Sequence, residues 1–255
     1  MPYTDEMPKC LVPVAGRSIL EWQLVALRQS GVEEAVIICG YLADVLKERL
    51  REPGARHGCT IRFVDNRDFE NNNILHSLFC ARTELAGAVY LTYSDIVFTP
   101  AVVRALADAE GEICLTIDRD FTLIYEGRTE HPLSEAEVAD LDAHGHVRRV
   151  GKRALPPEDA WGEFIGLAKL SAVGTAWLTE AWEHLRAIYA GREDTPFQRA
   201  NTFVNAYLTD MLQYLIDAGQ PVAPVGIHGC WREIDTVQDL QRADSLIGSA
   251  PEDWK

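Results

Sequence analysis

Asp95 follows the apolar run Val89-Tyr-Leu-Thr-Tyr93 and precedes Ile96-Val97. An acid at the end of a buried strand is poorly placed for stability and well placed to hold a metal at a sheet rim; a turn or helix-capping role is the other reading. Glu233 and Asp235 flank Ile234 in Trp231-Arg-Glu-Ile-Asp-Thr236. Residues two apart in an extended strand point to the same side, so both carboxylates can converge on one cation, or can cap the helix that follows. Lys9 sits between Pro8 and Cys10-Leu-Val-Pro-Val14. A lysine fixed by a preceding proline can serve as a point charge for phosphate, although a solvated lysine is the commoner case. Asn71-Asn72-Asn73 offers amide donors and acceptors suited to a nucleobase edge, and equally to turns and a helix cap. Lys152 and Arg128 are the cations best aimed at a second anionic group.

These residues are punctuated by alternating helical and strand patterns. Leu20, Leu24 and Leu27 share one helical face over 19–30, with Gly31 as the stop. Strands are predicted at 35–39 (apolar without alternation, hence covered on both faces), 60–64, 88–93 and 112–118. Helices are predicted between them at 42–50, 74–84 and 100–109, the last with Pro100 in its first turn. This order implies a mostly parallel sheet with helices on both faces and ligands at the carboxyl ends of its strands. Gly40-Tyr41, Asp65-Asn66 and Ser94-Asp95 then lie along one rim. Beyond 118 the pattern becomes a hairpin (140–142 and 147–150), a strand at 164–170, helices at 172–190 and 201–218, short strands at 222–225 and 230–234, and a closing helix at 236–247. The expected organisation is one domain over 1–255, with the strand–helix alternation at 1–118 and a substrate-side lobe on the same sheet at 119–255.

The 255 residues carry 39 acidic against 24 basic side chains, a net charge of −15. Such a surface argues against a nucleic-acid partner, since duplex binding depends on Lys and Arg at phosphates. A phosphorylated small molecule is compatible with it, because a local cation cluster or a divalent metal reverses the sign inside a cleft. No stretch reaches the ~20 apolar residues of a membrane helix, and the first ten residues lack the pattern of a secretion signal. The six cysteines are scattered without a C-x-x-C pair, which argues against zinc and against a disulfide framework. A reducing cytoplasm and a monomer or homodimer are the expectations.

Taken in order, a lysine before the first helix, amides before a later helix, an acid at a strand end and paired acids before the last helix resemble the sugar-nucleotidyltransferase superfamily of MobA-like NTP transferases. Pro8-Lys-Cys-Leu-Val-Pro-Val-Ala-Gly16 resembles that family's P-K-x-L-x-P-V-x-G segment. Trp231-Arg-Glu-Ile-Asp-Thr-Val-Gln-Asp239, Asn73-Ile-Leu-His-Ser-Leu78 and Ser94-Asp-Ile-Val97 are similar to the phosphocholine and phosphonate cytidylyltransferase branch. The resemblance implies a Rossmann-like three-layer αβα fold of the nucleotide-diphospho-sugar transferase type with a small β-containing substrate lobe, 1–118 being the nucleotide-binding half and 119–255 the acceptor-side lobe. It implies cytidylyl transfer from CTP to a small phosphorylated or phosphonate acceptor, phosphocholine-like or an aminoalkylphosphonate, with Mg²⁺ as cofactor. The implied roles are Asp95, Glu233 and Asp235 for the metal; Lys9, Asn73, Ser77 and Asp95 for the nucleotide; Lys9, Lys152 and Asp95 for catalysis. Arg128, Lys152, Trp161 and Glu163 are the implied acceptor ligands, Glu163 through Gly162-Glu-Phe-Ile-Gly166, and for a cationic headgroup Tyr125, Trp161 and Trp231 offer aromatic faces, with core packing as the competing use.

A sugar-1-phosphate nucleotidyltransferase and an inactive nucleotide-binding homologue are the alternatives. An A-type glycosyltransferase is disfavoured because Ser94-Asp-Ile-Val97 lacks an Asp-x-Asp. In the resembled family a first strand and a glycine-rich loop, roughly L-A-A-G-x-G-x-R, precede Pro-Lys, whereas here only Pro2-Tyr-Thr-Asp-Glu-Met7 does. That strand would lie beside the strands at 35 and 88, leaving both short of a hydrogen-bonding neighbour. The loop would supply backbone N–H groups to a triphosphate. A start codon assigned too far downstream is the favoured explanation. The chain is expected to be poorly stable or weakly active, and an upstream-extended form to bind CTP more tightly.

Overall fold

The structure is a computed structural model and describes residues 2–249 and 251–254. Strands β1 (Pro13–Val14) and β2 (Arg17–Ser18) form a hairpin whose two turn residues, Ala15 and Gly16, both have positive φ (48° and 84°). Ser18 then caps α1 (Ile19–Gln29) in a reciprocal capping box with Glu21, burying Leu20, Leu24 and Leu27. β3 (Glu34–Cys39), α2 (Ala43–Arg49) and β4 (Thr60–Asp65) make a right-sized βαβ unit, with β3 parallel to β4 from Glu34↔Thr60 to Cys39↔Asp65. α3 (Ile74–Cys80) follows, then β5 (Val89–Thr92), β6 (Ile96–Phe98) and α4 (Pro100–Asp108). β7 (Ile113–Asp118) and α5 (Phe121–Tyr125) lead to the hairpin β8 (Glu137–Leu141) and β9 (Val147–Lys152). β10 (Gly162–Leu170), α6 (Ala172–Tyr189), α7 (Leu208–Asp217), β11 (Ala223–Ile227), β12 (Trp231–Glu233) and α8 (Val237–Ser249) complete the chain.

The central sheet runs β11-β7-β10-β8-β9, with β5 also paired to β10. β11 is parallel to β7, whereas β10 is antiparallel to β5, β7 and β8. β5, β7 and β11 therefore share one direction, as the strand–helix alternation requires, and β10 is the reversed strand set among them. Side chains alternate across β7: Ile113, Leu115 and Ile117 face a core with Leu178 and Trp182 of α6 and Met211 and Leu212 of α7. Cys114 faces the opposite core with Leu27 of α1 and Val102, Val103 and Leu106 of α4. Helices cover both faces, giving three α/β layers.

Four local expectations are corrected. The strand predicted at 35–39 is half-exposed over Ala35–Ile38 rather than covered on both faces. The helix predicted at 74–84 stops at Cys80, and Arg82–Glu84 continues as a 3-10 turn. The helix predicted from 201 begins at Leu208, because the Val204 and Ala206 carbonyls accept from the Asn73 and Leu75 N–H groups and so tie down α3 instead. β6 was not foreseen; three residues carry no readable period.

Candidate active site

Segments far apart in sequence meet just past the carboxyl end of β5. β6 and β12 pair antiparallel with Glu233 opposite Ile96, and the Ile234 N–H donates to the Asp95 carbonyl at 2.9 Å. These backbone bonds, made by the residues adjoining the acids, set Asp95 beside Glu233 and Asp235. Lys9, in a single 3-10 turn (Lys9–Leu11) after the extended Pro8, reaches the same point. Its Nζ donates to Asp95 Oδ2 at 3.0 Å and to Asp235 Oδ1. Burial by itself would lower the Lys9 pKa, but the two carboxylates outweigh it and raise it, so the ammonium stays charged.

His131 completes the group, its Nδ1 3.0 Å from Asp235 Oδ2 and its Nε2 3.7 Å from Glu233 Oε2. The bond to Asp235 raises the imidazole pKa despite burial. Asp235 is held well below the usual carboxylate range: burial opposes this, and His131 and Lys9 overcome it. Glu233 moves the other way, pushed up by burial and then by Asp235 and Asp95. The two carboxylates shift in opposite directions because the cations lie against Asp235, whereas burial dominates at Glu233.

One ligand atom each from His131, Glu233 and Asp235 lies within 4.8 Å of the others. Asp95 Oδ1 is enclosed without a hydrogen-bond partner among the described residues. An enclosed carboxylate oxygen with no donor is costly unless a cation satisfies it. Two carboxylates and an imidazole nitrogen, with the Asp95 carboxylate beside them, form a donor set that fits a divalent cation.

Behind the acids, Arg128 holds the arrangement together. Its side chain is only 2% exposed. Its Nε donates to Asp239 Oδ1 at 2.6 Å, and its Nη2 to Asp239 Oδ2 and Glu233 Oε2, each at 2.9 Å. Asp239 Oδ2 in turn accepts from the N–H groups of Asp235 and Thr236, fixing the turn that carries the acids into α8. The Arg128 guanidinium lies 5.0 Å from the Tyr125 ring centroid, and the Tyr125 hydroxyl donates to Glu163 Oε1 at 2.7 Å. Glu163 is buried, and burial pushes its carboxyl well above the usual range.

A cavity of about 700 Å³ contains Asn73, Lys152, Arg153, Arg199 and Tyr207 in its lining. Lys152 Nζ pairs with Glu135 Oε2 at 3.2 Å and lies 5.1 Å from the Tyr207 ring centroid. Below the cavity, the buried Glu137 accepts from the Thr209 hydroxyl at 2.8 Å and the Tyr93 hydroxyl at 2.9 Å. Through Glu137, Thr209 of the cavity lining is linked to Tyr93, two residues before Asp95 in the chain, which joins the cavity to the lysine–carboxylate centre.

Lys9, Asp95, Glu233 and Asp235 are thus brought together, and Lys152 and Asn73 line the neighbouring cavity. Asn73 also takes its capping role, its side chain accepting from the Ile74 N–H at 2.8 Å. Ser77 is half-buried in α3, its N–H donating to the Asn73 carbonyl at 2.9 Å. Arg128 differs from the acceptor role expected of it, because its donors are spent on Asp239 and Glu233, whereas Glu163 has Oε1 held by Tyr125 and Oε2 buried without a hydrogen-bond partner among the described residues. Trp161 lies under Arg119, whose Cζ is 4.1 Å from the ring centroid, and Trp231 is buried with its Nε1 donating to Asp118 Oδ2 at 2.8 Å. His131, Arg199, Glu137 and Tyr207 were not singled out from sequence. None sits in a recognisable spacing, and only the three-dimensional pairing exposes them.

A three-layer α/β fold with a lysine and convergent carboxylates at a strand end defines a nucleotide-handling class of protein. Residues 4–249 match the MobA-like NTP transferase domain, and the chain belongs to that family of nucleotidyltransferases. It is 29% identical over 247 residues to the CTP:phosphoglutamine cytidylyltransferase of Campylobacter jejuni, spanning 94% of this chain and 92% of that relative. It is 41% identical over 106 residues to the CMP-5'-(3-aminopropyl)phosphonate synthase of Streptomyces rubellomurinus, a match spanning 42% of this chain but 17% of that longer protein. The solved CTP:phosphocholine cytidylyltransferase of Streptococcus pneumoniae shares the fold, with a TM-score of 0.70 at 19% identity over 96% of this chain and 92% of its own. Among the described residues no helix is long and apolar enough to cross a membrane.

Proposed function

We propose that this chain transfers a cytidylyl group from CTP to a small phosphorylated or phosphonate acceptor and releases pyrophosphate, with Mg²⁺ held by Asp95, Asp235 and Glu233. The observation that carries this reading is the lysine–carboxylate centre built from residues 9, 95 and 233–235, in a fold whose relatives are named for CTP chemistry. The acceptor oxygen attacks the α-phosphorus, the bond to the bridging oxygen of the leaving pyrophosphate breaks, and the electron pair departs with it. That oxygen is already anionic near neutral pH, so the residues need supply no general base. Their work is alignment and charge neutralisation. A bound Mg²⁺ would supply Lewis-acid neutralisation of the phosphate oxygens at the same carboxylates. The Lys9 ammonium, kept protonated by those acids, is a fixed cation for the triphosphate. Lys152 is the cation for the acceptor's anionic end. A water-soluble cytoplasmic monomer or homodimer is the form we expect to carry this activity.

The test follows pyrophosphate release with CTP, MgCl₂ and a panel of phosphorylated acceptors, with and without EDTA. Asp95→Asn keeps the size and the backbone bond to Ile234 but removes the charge. Its kcat should fall by about two orders of magnitude or more, with the melting temperature little changed. Near wild-type turnover in Asp95→Asn would remove this residue from the mechanism, and undiminished turnover in EDTA would remove the metal.

A further inference from the structure

We infer that the acceptor carries a carboxylate in addition to its phosphate or phosphonate, and that Arg199 reads the carboxylate while Lys152 takes the phosphorus-bearing end. This rests on the cytidylyl-transfer reading and adds to it the chemical class of the acceptor.

The cavity beside the lysine–carboxylate centre is lined by three cations, Lys152, Arg153 and Arg199. Its two acids are already engaged. Glu135 pairs with Lys152 at 3.2 Å and Arg153 at 3.5 Å. Asp210 accepts from the backbone N–H groups of Tyr207 at 2.8 Å and Arg199 at 3.1 Å. Glu137, beneath the floor, is pushed up to about 7 by burial and so contributes little more than a partial charge near neutrality. Arg199 is exposed, and its guanidinium spends one N–H on the Val150 carbonyl at 3.2 Å. The rest of its planar donor fork is free to take a carboxylate in bidentate fashion.

A quaternary ammonium group needs the opposite surroundings: open aromatic faces and unpaired carboxylates. Tyr207 is the one aromatic residue in the lining, and Lys152 already lies against its ring. The rings of Trp161, Tyr125 and Trp231 are committed to Arg119, Arg128 and Asp118 respectively. The remaining lining includes the carboxamides of Asn73, Asn201 and Asn205, which hydrogen-bond polar substituents and offer nothing to a trimethylammonium. The surroundings in this cavity therefore suit an anionic substituent better than a quaternary ammonium group.

Matched acceptors isolate the carboxylate. O-phosphoserine differs from phosphoethanolamine, and 3-phosphoglycerate from glycerol 3-phosphate, essentially in that group. The carboxylated member of at least one pair should show a kcat/KM about tenfold or more above its partner, and phosphocholine should rank below it. In Arg199→Met that ratio should collapse to within about threefold of unity. Equal or reversed preference in the wild type overturns the inference while leaving cytidylyl transfer intact, and so does a ratio that survives in Arg199→Met. Should no acceptor release pyrophosphate, cytidylyl transfer itself fails, and calorimetric titration of O-phosphoserine and phosphoethanolamine onto the protein alone decides the pocket. Tighter, Arg199-dependent binding of O-phosphoserine supports the inference, and equal binding overturns it. Arg199→Met loses one side-chain bond at an exposed position, and a melting curve matching wild type checks that the fold is retained.

Discussion

Glu137 is the residue whose chemistry most departs from its ordinary range. Burial raises its carboxyl to about 7, with the Thr209 and Tyr93 hydroxyls and Lys152 pulling the other way. The folded protein therefore keeps a proton that the unfolded chain releases above the ordinary value of 4.5. The sign follows from linkage: this contribution to stability is complete below that value and is lost as pH rises through 7. Glu137→Gln keeps the shape and removes the titration. Urea unfolding should show the wild type losing up to about 3 kcal/mol more than the variant across that window, and parallel stability curves would discount Glu137. At this scale Lys9, Asp95 and the Glu233/Asp235 pair were legible because strand ends and two-residue spacing carry meaning without tertiary information. Arg128 was legible only as a cation. That its fork closes on Asp239 and Glu233 instead of on substrate depends on α8 packing against the segment after α5, a contact between residues more than a hundred apart in sequence.

The short β1–β2 hairpin shows how an element can be fixed by its turn. Two residues at positive φ between paired Val14 and Arg17 define the twist-matched turn that favours Asn-Gly, and here Ala15 occupies the first position. Alanine in the left-handed region costs roughly 1–2 kcal/mol. The strain is tolerated because the Ala15 N–H donates to Asp244 of α8 at 2.6 Å, docking the hairpin on the closing helix. Ala15→Asn keeps that N–H and relieves the strain. It should raise stability by about 1 kcal/mol and Tm by about 2–3 °C, as differential scanning calorimetry can measure; an unchanged or lower Tm would show that the turn is not strained in solution. Helices with a local stop or cap, such as α1 between Ser18 and Gly31, were readable from sequence. The start of α7 was not, since Phe203, Val204 and Ala206 continue an apolar pattern whose backbone groups are used by α3 and the 193–195 turn.

Over the whole molecule, the order of strands is the property least available to sequence, because each pairing is a choice among distant edges. β10 is the most connected strand, paired to β5, β7 and β8, and almost all of it is buried. β3 pairs with β4 alone and β5 with β10 alone among the described residues, so each leaves one edge open. On β3, Val36, Ile37 and Ile38 are also half-exposed. An apolar strand with an open edge exposes backbone N–H groups and depends on its other edge and one packed face for order. Local opening there costs less than global unfolding, whereas β7 and β10 can open only when the two cores come apart. Hydrogen exchange followed by mass spectrometry should therefore find peptides covering 34–39 and 89–92 exchanging about a hundredfold faster than those covering 113–118 and 162–170. Uniform protection across all four would mean that β3 and β5 are held by the same cooperative unit as the central sheet, and that their open edges carry no penalty.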